Sequence, residues 1–212
     1  MTNIAAVVFD FGGVLDVPED RESWLAQRDH LAAGVGMTGE EFWHYLFRSD
    51  AWERAKRGQI TEEAFWADRL MPLGMHSEAQ RRAFVARLMA GRGVHPAMRA
   101  LLERLQARYT LALLSNTAVR NMADWLAESF DLTVFDEVIS SADVGLAKPE
   151  EAIYRLLLER LRLPPETVLF IDDLARNTTA ADALGIQTII FESPEVLVSV
   201  LQAHGMLDDG RL

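Results

Sequence analysis

The 212-residue chain contains no cysteine. Disulfide scaffolds, thiolate zinc sites, iron–sulfur clusters and a cysteine nucleophile are therefore excluded. Only histidine and carboxylate side chains remain as strong metal ligands. The absence also fits a reducing compartment, and we expect a cytoplasmic protein.

Basic clusters and long apolar runs are also missing. Lysine and arginine number 21 against 32 aspartates and glutamates, which gives a net charge of −11. Because such a chain repels a phosphate backbone, we expect no nucleic-acid partner. No apolar run approaches the roughly 18 residues of a membrane helix, and the first residues lack the basic region of a signal peptide. We therefore expect neither secretion nor a membrane partner.

Five short segments rich in aliphatic and β-branched residues predict strands buried on both faces of a parallel sheet. These segments are 4–9, 111–114, 134–139, 168–171 and 186–191. Apolar residues at helical spacing recur between the later segments. With right-handed crossovers, this alternation predicts a doubly wound α/β, Rossmann-like core whose ligand site lies at the carboxyl ends of the strands.

The sequence after the first predicted strand lacks any strand signal and indicates an inserted helical cap. Capping-box patterns mark helix starts at Thr38 and Ser77, and Thr61 precedes two glutamates. Because the insert follows the first strand directly, it should cover the carboxyl edge of the sheet. The predicted domains are a core formed by residues 1–15 and 93–212 and a cap formed by residues 16–92.

Four of the five tryptophans fall in this insert, namely Trp24, Trp43, Trp52 and Trp66. They could form the small core of a helical bundle or an aromatic box that binds substrate. Large aromatic side chains usually supply buried packing area. We therefore interpret most of these tryptophans as the core of the cap.

Polar side chains follow the predicted strands of the core. They are Asp10, Ser115, Asn116, Lys148, Asp172 and Asp173. Each residue alone is explained by a helix cap, a turn or a solvated loop. Together they place three carboxylates on one edge of the sheet, where they repel each other unless a cation or the lysine neutralises them. This combination is typical of sites for hard metal ions.

Four segments of the chain resemble, in order, the motifs of the haloacid dehalogenase-like superfamily. They are VVFDFGGVL, LLSNT, GLAKPEEAIY and LFIDDLARN. The insert occupies the position of that family's helical cap, the subclass I arrangement. Its segment RGQITEEAFW is similar to a cap turn of bacterial sugar-phosphate phosphatases and of the phosphatase domain of soluble epoxide hydrolases. In having glycine at position 12, the chain resembles the family's glucose-1-phosphate phosphatase branch. The resemblance implies a Mg²⁺-dependent phosphatase for a small phosphorylated metabolite, such as a sugar phosphate.

The resemblance also implies the chemical role of each motif residue. Asp10 would attack phosphorus and form an aspartyl-phosphate that water then hydrolyses, and Lys148 would offset the negative charge around it. The residues implied in phosphate binding are Phe11, Ser115 and Asn116. Those implied in binding Mg²⁺ are Asp10, Gly12 through its carbonyl group, Asp173 and Asp172, with Asn177 holding the metal geometry indirectly.

Gly12 departs from the phosphatase pattern, which has a second aspartate at this position. Glycine keeps the carbonyl group for the metal but has no carboxyl group to protonate the leaving group. General acid–base assistance is typically worth about 10² to 10⁴ in rate. Its loss should slow phosphoryl transfer without abolishing it.

The sequence leaves two alternatives to a phosphatase open. A catalytically degenerate family member could serve as a binding or regulatory module, and Gly12 is the best support for this reading. A metal-free 2-haloacid dehalogenase would use the same Asp10 nucleophile, but the retained pair Asp172 and Asp173 argues against it. We expect a monomer or a weak homodimer, and neither the substrate nor the pathway follows from the sequence.

Overall fold

The computed structural model describes residues 3–208. Its centre is one sheet of five parallel strands in the order β3-β2-β1-β4-β5. The strands are β1 (Ala6–Phe9), β2 (Thr110–Ser115), β3 (Glu137–Ser140), β4 (Val168–Asp172) and β5 (Gln187–Ile190). The prediction of a doubly wound parallel sheet is therefore confirmed.

Helices cover both faces of the sheet and form a separate layer above its carboxyl edge. The helices between β1 and the rest of the core are α1 (Arg21–Ala33), α2 (Gly39–Phe47), α3 (Asp50–Ala55), α4 (Glu62–Leu70) and α5 (Glu78–Met89). Those of the core are α6 (Pro96–Leu105), α7 (Met122–Phe130), α8 (Ser141–Val144), α9 (Glu151–Leu161), α10 (Ala175–Asp182) and α11 (Pro194–Ala203). Within residues 3–208, no helix has the length and apolar character needed to cross a membrane.

The strands are apolar throughout because both faces of the sheet are covered. In β1, Val7 and Phe9 pack into the cluster shared with α6, α7 and α11, whereas Ala6 and Val8 pack into the cluster shared with α9 and α10. All four residues have no exposed surface. Consecutive side chains of a strand point to opposite faces, so an uninterrupted apolar run is what this arrangement requires.

The register of the central strands determines which polar residues meet. Strand β1 pairs with both β2 and β4, and the chain crosses from one half of the sheet to the other between β3 and β4. Phe9 pairs with Ile171, so Asp10 and Asp172 follow side by side at the carboxyl edge. Ligand sites of open α/β sheets lie at such a reversal of strand order.

The third strand begins later than the predicted segment 134–139. Only Glu137–Ser140 pairs with β2. Residue Asp136 instead holds the chain at the start of β2: its amide donates to the Leu111 carbonyl, and its carboxylate accepts from the Leu111 amide. A side chain that bonds the neighbouring strand's backbone competes with regular pairing, and apolar periodicity does not reveal it.

The cap consists of α1–α5, and its helix starts follow the predicted signals. Thr38 and Ser77 each begin a capping box, and the Thr61 side chain accepts from the Ala64 amide. The cap has its own apolar cluster, in which Phe42 and Phe65 are buried. The division of the chain at residues 16 and 92 remains a prediction.

Removal of the capping box at the start of α5 should lower the free energy of unfolding. Ser77→Ala deletes the oxygen that accepts from the Gln80 amide, and we expect a loss of about 0.5–2 kcal/mol in the free energy of unfolding. Ser129→Ala is the matched control, because Ser129 is an exposed residue inside α7 and alanine is the better helix former there. Urea denaturation should show a loss only for Ser77→Ala, and equal effects of the two changes would contradict the cap assignment.

Candidate active site

Lys148 lies at the centre of the polar edge. Its ammonium nitrogen is 2.9 Å from Asp10 Oδ1 and 2.7 Å from Asp172 Oδ2, and the lysine is only 2% exposed. A buried charge is tolerated only when it is paired and hydrogen-bonded. The structure therefore brings together three residues that the sequence analysis selected from three distant segments.

Asn116 holds this lysine by its main chain. The Asn116 amide nitrogen donates to the Lys148 carbonyl at 2.8 Å, and the Lys148 amide donates to Asn116 Oδ1 at 2.9 Å. The side chain that was expected to bind phosphate thus makes two hydrogen bonds that position Lys148. Ser115, also expected at the phosphate, is a buried residue at the end of β2 that lines the cavity in front of Asp10.

Asp172 is fixed by donors on both carboxylate oxygens. Besides Lys148, the Leu174 amide and the Asn177 side-chain amide donate to it at 2.9–3.0 Å. The Tyr154 hydroxyl in turn donates to the Asn177 carbonyl at 2.9 Å. These hydrogen bonds occupy the acceptor positions of both Asp172 oxygens. Asp172 therefore serves as the charge partner of Lys148 more than as a group available to bind a metal ion.

Asp10 is buried among other charged groups. Its Oδ1 accepts from Lys148 and from the Phe11 amide, the latter at 2.7 Å. Burial raises the pKa of the Asp10 carboxyl to about 7; Lys148 opposes this rise, and the charges of Asp172 and Asp173 add to it. The Phe11 ring packs against two aromatic rings of α7, those of Trp125 and Phe130.

The three carboxylates form a cluster suited to a cation. Oxygen atoms of Asp10, Asp172 and Asp173 all lie within 4.8 Å of one another. One ammonium group against three carboxylates leaves two negative charges, which matches a divalent ion with oxygen ligands. In addition, Asn177 Oδ1 is buried and has no hydrogen-bond partner among residues 3–208. A buried acceptor of this kind is normally satisfied, so this donor set fits a hydrated metal ion.

Two consecutive glycines differ in what their positions tolerate. Gly13 has a φ of +85°, and a Cβ atom there would lie 2.6 Å from Asp173 Oδ2. A Cβ at Gly12 would meet nothing within 4 Å. Gly13 is therefore required by the backbone and by the approach of Asp173, whereas Gly12 leaves open space where the family pattern has an aspartate.

The cap closes over this edge and leaves a cavity of about 1750 Å³ between cap and core. The turn after α3 contacts the core directly: Arg57 pairs with Glu150, and Arg120 donates to the Gly58 carbonyl at 2.6 Å. Lys56, beside them, is buried and pairs with Glu53. The cap therefore lies where a lid is expected.

The cap tryptophans differ in burial. Trp66 is buried in the cap cluster and Trp52 packs against it, as expected for a bundle core. Trp24 and Trp43 lie outside this cluster: they pack edge to face at 5.6 Å and remain partly exposed. All four tryptophans also line the cavity.

One charged pair at the base of the cap was not predicted. Arg92 lies 2.9 Å from Asp16 Oδ2 and also donates to the Asp16 carbonyl. It joins the two chain segments that connect cap and core. Burial raises the pKa of the Asp16 carboxyl, although Arg92 opposes this. The two residues are 76 positions apart in sequence, and nothing in either segment indicates the other.

Comparisons with known proteins establish the family. Residues 4–185 match the haloacid dehalogenase-like hydrolases, and the chain belongs to this family. It is 30% identical over 209 residues to acyl-CoA dehydrogenase family member 10 of Mus musculus, covering 93% of this chain and 19% of that protein. It is 25% identical over 213 residues to bifunctional epoxide hydrolase 2 of Sus scrofa, covering 94% and 38% respectively. The chain thus spans less than two fifths of these relatives.

Relatives of more similar length and solved structures share the fold but differ in their activities. A phosphorylated carbohydrates phosphatase of Thermotoga maritima is 31% identical over 112 residues, 53% of this chain and 50% of that protein. An enzyme of the family from Bacteroides thetaiotaomicron, in complex with magnesium and inorganic phosphate, superposes with a TM-score of 0.69 at 24% identity, covering 90% and 95% of the chains. A dehalogenase superposes with a TM-score of 0.67 at 22% identity, covering 95% and 98%. The protein is therefore a hydrolase-family enzyme whose reaction these likenesses do not decide.

Alanine substitutions at Gly12 and Gly13 should differ in their effect on stability, because only Gly13 has a backbone conformation and a close neighbour that exclude a side chain. Gly13→Ala forces a side chain into the left-handed region and against Asp173, and we expect a loss of about 1–3 kcal/mol in the free energy of unfolding. Gly12→Ala should be neutral or stabilise by up to about 1 kcal/mol, because it restricts only the unfolded chain. Equal unfolding midpoints in urea for the two variants would contradict this local geometry.

Proposed function

We propose that the protein is a Mg²⁺-dependent phosphatase that hydrolyses a small phosphate monoester through an aspartyl-phosphate on Asp10. The proposal rests chiefly on the meeting of three carboxylates with Lys148 at the point where strand order reverses. Structural relatives support it, since one was solved with magnesium and inorganic phosphate. A cytoplasmic location and a monomeric or weakly dimeric state stay predictions.

Asp10 is the residue we propose as nucleophile. Lys148 and the Phe11 amide hold its Oδ1, while Oδ2 accepts no hydrogen bond from the described residues. A carboxylate held by one oxygen is oriented for attack by the other. Attack on phosphorus would form a bond between the Asp10 carboxylate oxygen and phosphorus, giving an acyl phosphate, as the bond to the leaving oxygen breaks. Water would then attack phosphorus, release phosphate and restore the carboxylate.

Lys148 is the residue we propose to lower the charge barrier. A carboxylate that approaches a phosphate dianion is repelled, and a fixed ammonium group at 2.9 Å reduces this repulsion without reorganisation. Asp172 and Asn116 would act through Lys148 by keeping it in place. Ser115 and the main chain beside Phe11 and Asn116 would contact the phosphoryl oxygens.

The metal would be held by the carboxylate cluster. We propose Asp10, the Gly12 carbonyl and Asp173 as its protein ligands, and we propose that Asp172 and Asn177 would support the metal site indirectly. Mg²⁺, when bound, would supply positive charge that polarises the phosphoryl group.

The proposed site has no side chain at position 12 that could protonate the leaving group. Gly12 offers no proton, and the space beside it is open. The departing oxygen would therefore leave with negative charge and take its proton from water. Esters whose leaving oxygen carries charge easily should react fastest.

The two alternatives predict different results in the same assays. A degenerate binding module would hydrolyse no phosphate ester. A dehalogenase would release halide from a 2-haloacid without metal, and the buried Lys148–Asp172 pair and nearby Asp173 fit that reaction less well than phosphoryl transfer.

The nucleophile is tested by Asp10→Asn. It should lower kcat/KM for an aryl phosphate by at least about 10³-fold, because the attacking oxygen is lost. Asp182→Asn, at an exposed carboxylate at the end of α10, is the control and should keep wild-type activity. Circular dichroism and thermal unfolding should show both variants folded. Wild-type turnover by Asp10→Asn would end the covalent mechanism.

Metal dependence is tested by exhaustive chelation. Activity should disappear and return with Mg²⁺, whereas Ca²⁺ should bind but restore little, because its larger and looser coordination shell disturbs in-line attack. Activity that survives chelation would contradict the metal requirement and favour the dehalogenase branch.

The role of Gly12 is tested with a series of leaving groups. For the wild type, kcat/KM should fall steeply from phenols, with a pKa of about 10, to alkyl alcohols. Gly12→Asp should flatten this series by supplying a proton, with its largest gain on alkyl esters. Gly12→Asn is the matched control, since it has the same size but no carboxyl proton. Single-turnover measurements isolate the first step, and a flat series in the wild type would show that another group supplies the proton.

A further inference from the structure

The cavity in front of Asp10 is larger than a small polar metabolite requires. Its volume is about 1750 Å³, whereas small-molecule sites typically measure roughly 300–1,000 Å³. The floor is the polar edge with Asp10 and Lys148, and the roof is the cap. Since the phosphoryl group would occupy the floor, the roof would surround the leaving group.

Aromatic rings form one part of the roof, beside charged side chains that include Arg21, Arg48 and Glu62. We call the aromatic wall the set Trp24, Trp43, Phe47, Trp52 and Trp66, all of which line the cavity. Neighbouring rings are in contact. The ring centroids are 5.6 Å apart for Trp24 and Trp43, 4.6 Å for Trp43 and Phe47, and 5.1 Å for Phe47 and Trp52. The wall is therefore one continuous apolar surface that crosses α1, α2, α3 and α4.

The two faces of α2 show that this surface is more than cap core. Phe42 and Leu46 have no exposed surface and pack inside the cap cluster. Trp43 and Phe47, one position further along the helix in each case, remain partly exposed and face the cavity. Large aromatic rings left partly exposed in a concave site are typical of ligand contact.

Several cations near the wall are already paired. Lys56 lies 2.7 Å from Glu53, and Arg92 pairs with Asp16. Arg92 also lies over the rings of Trp24 and Trp43 at 5.2 and 5.9 Å, which covers its charge with aromatic surface. Arg21 and Arg48 also line the cavity and are exposed. The rings of the wall themselves offer apolar faces and not the several directed donors and acceptors that a sugar requires.

We propose that the natural substrate is a phosphate monoester of an aromatic or similarly bulky apolar alcohol, with its leaving group against the aromatic wall. This inference rests on the proposed phosphatase function and narrows its substrate class away from sugar phosphates. Gly12 independently supports the phenolic members of this class, because a phenolic leaving group tolerates the absence of a proton donor. The wall binds the organic part while the polar edge holds the phosphoryl group.

The test compares esters that differ in apolar size but have the same type of leaving oxygen. Naphthyl phosphate should exceed phenyl phosphate in kcat/KM by at least about tenfold, since added apolar groups in a fitting pocket have effects of this size. Decyl phosphate should likewise exceed a hexose phosphate esterified at its primary hydroxyl. Because each pair shares its leaving-group chemistry, the ratio reports contact with the cap.

Two matched variants test whether the preference for the larger apolar group arises at the aromatic wall. Phe47→Ala removes a ring of the wall, and Phe84→Ala removes a partly buried cap ring that does not line the cavity. Phe47→Ala should reduce the naphthyl-to-phenyl ratio at least about fivefold, whereas Phe84→Ala should leave it unchanged. If Phe47→Ala does not fold, Trp43→Ala takes its place, since that side chain lies outside the cap cluster.

Binding provides a readout that does not require turnover. Naphthylmethyl phosphonate should bind the wild-type protein at least about tenfold more tightly than methylphosphonate in calorimetry with Mg²⁺ present. A protein that hydrolyses hexose phosphates better than decyl phosphate, or identical ratios for Phe47→Ala and Phe84→Ala, would overturn the inference and leave the phosphatase proposal intact. If no ester of either class is hydrolysed, the phosphatase proposal fails and the inference fails with it.

Discussion

The ammonium group of Lys148 between two buried carboxylates is the interaction on which the site depends. It joins β1, the segment before α9 and β4, and it is the charge that lets Asp10 and Asp172 lie side by side. Removal of one partner from such a pair typically costs about 3–5 kcal/mol, because the remaining charge stays buried. Asn116, Asn177 and Tyr154 all serve this arrangement through hydrogen bonds to Lys148, to Asp172 or to each other.

The polar cluster and the aromatic surface lie in different layers of the fold. The parallel sheet brings the polar residues together by strand register at its carboxyl edge. The cap brings an aromatic surface and a paired turn against that edge. Asp16 and Arg92 hold the two connections between these layers. Under the proposed function, the core determines the reaction and the cap determines which leaving group reaches Asp10.

Much of this organisation is predictable from sequence, for physical reasons. Apolar runs predict the five strands because both faces of the sheet are covered, and capping boxes mark helix starts because they satisfy backbone amides locally. Contacts between distant segments are not encoded in this way. The clamp from Asn116 to Lys148, the Asp16–Arg92 pair and the late start of β3 at Glu137 each depend on the folded packing. The burial of Trp66 and the partial exposure of Trp24 likewise depend on how the cap helices pack together.

The central claim is that the phosphoryl group is transferred twice, first to Asp10 and then to water. The most direct measurement is the stereochemical course of hydrolysis of an aryl phosphorothioate made chiral at phosphorus with oxygen isotopes. Each in-line displacement inverts the configuration, so two displacements through Asp10 predict inorganic thiophosphate with overall retention. This readout does not require the intermediate to accumulate. Overall inversion would show a single direct attack by water and would contradict the account.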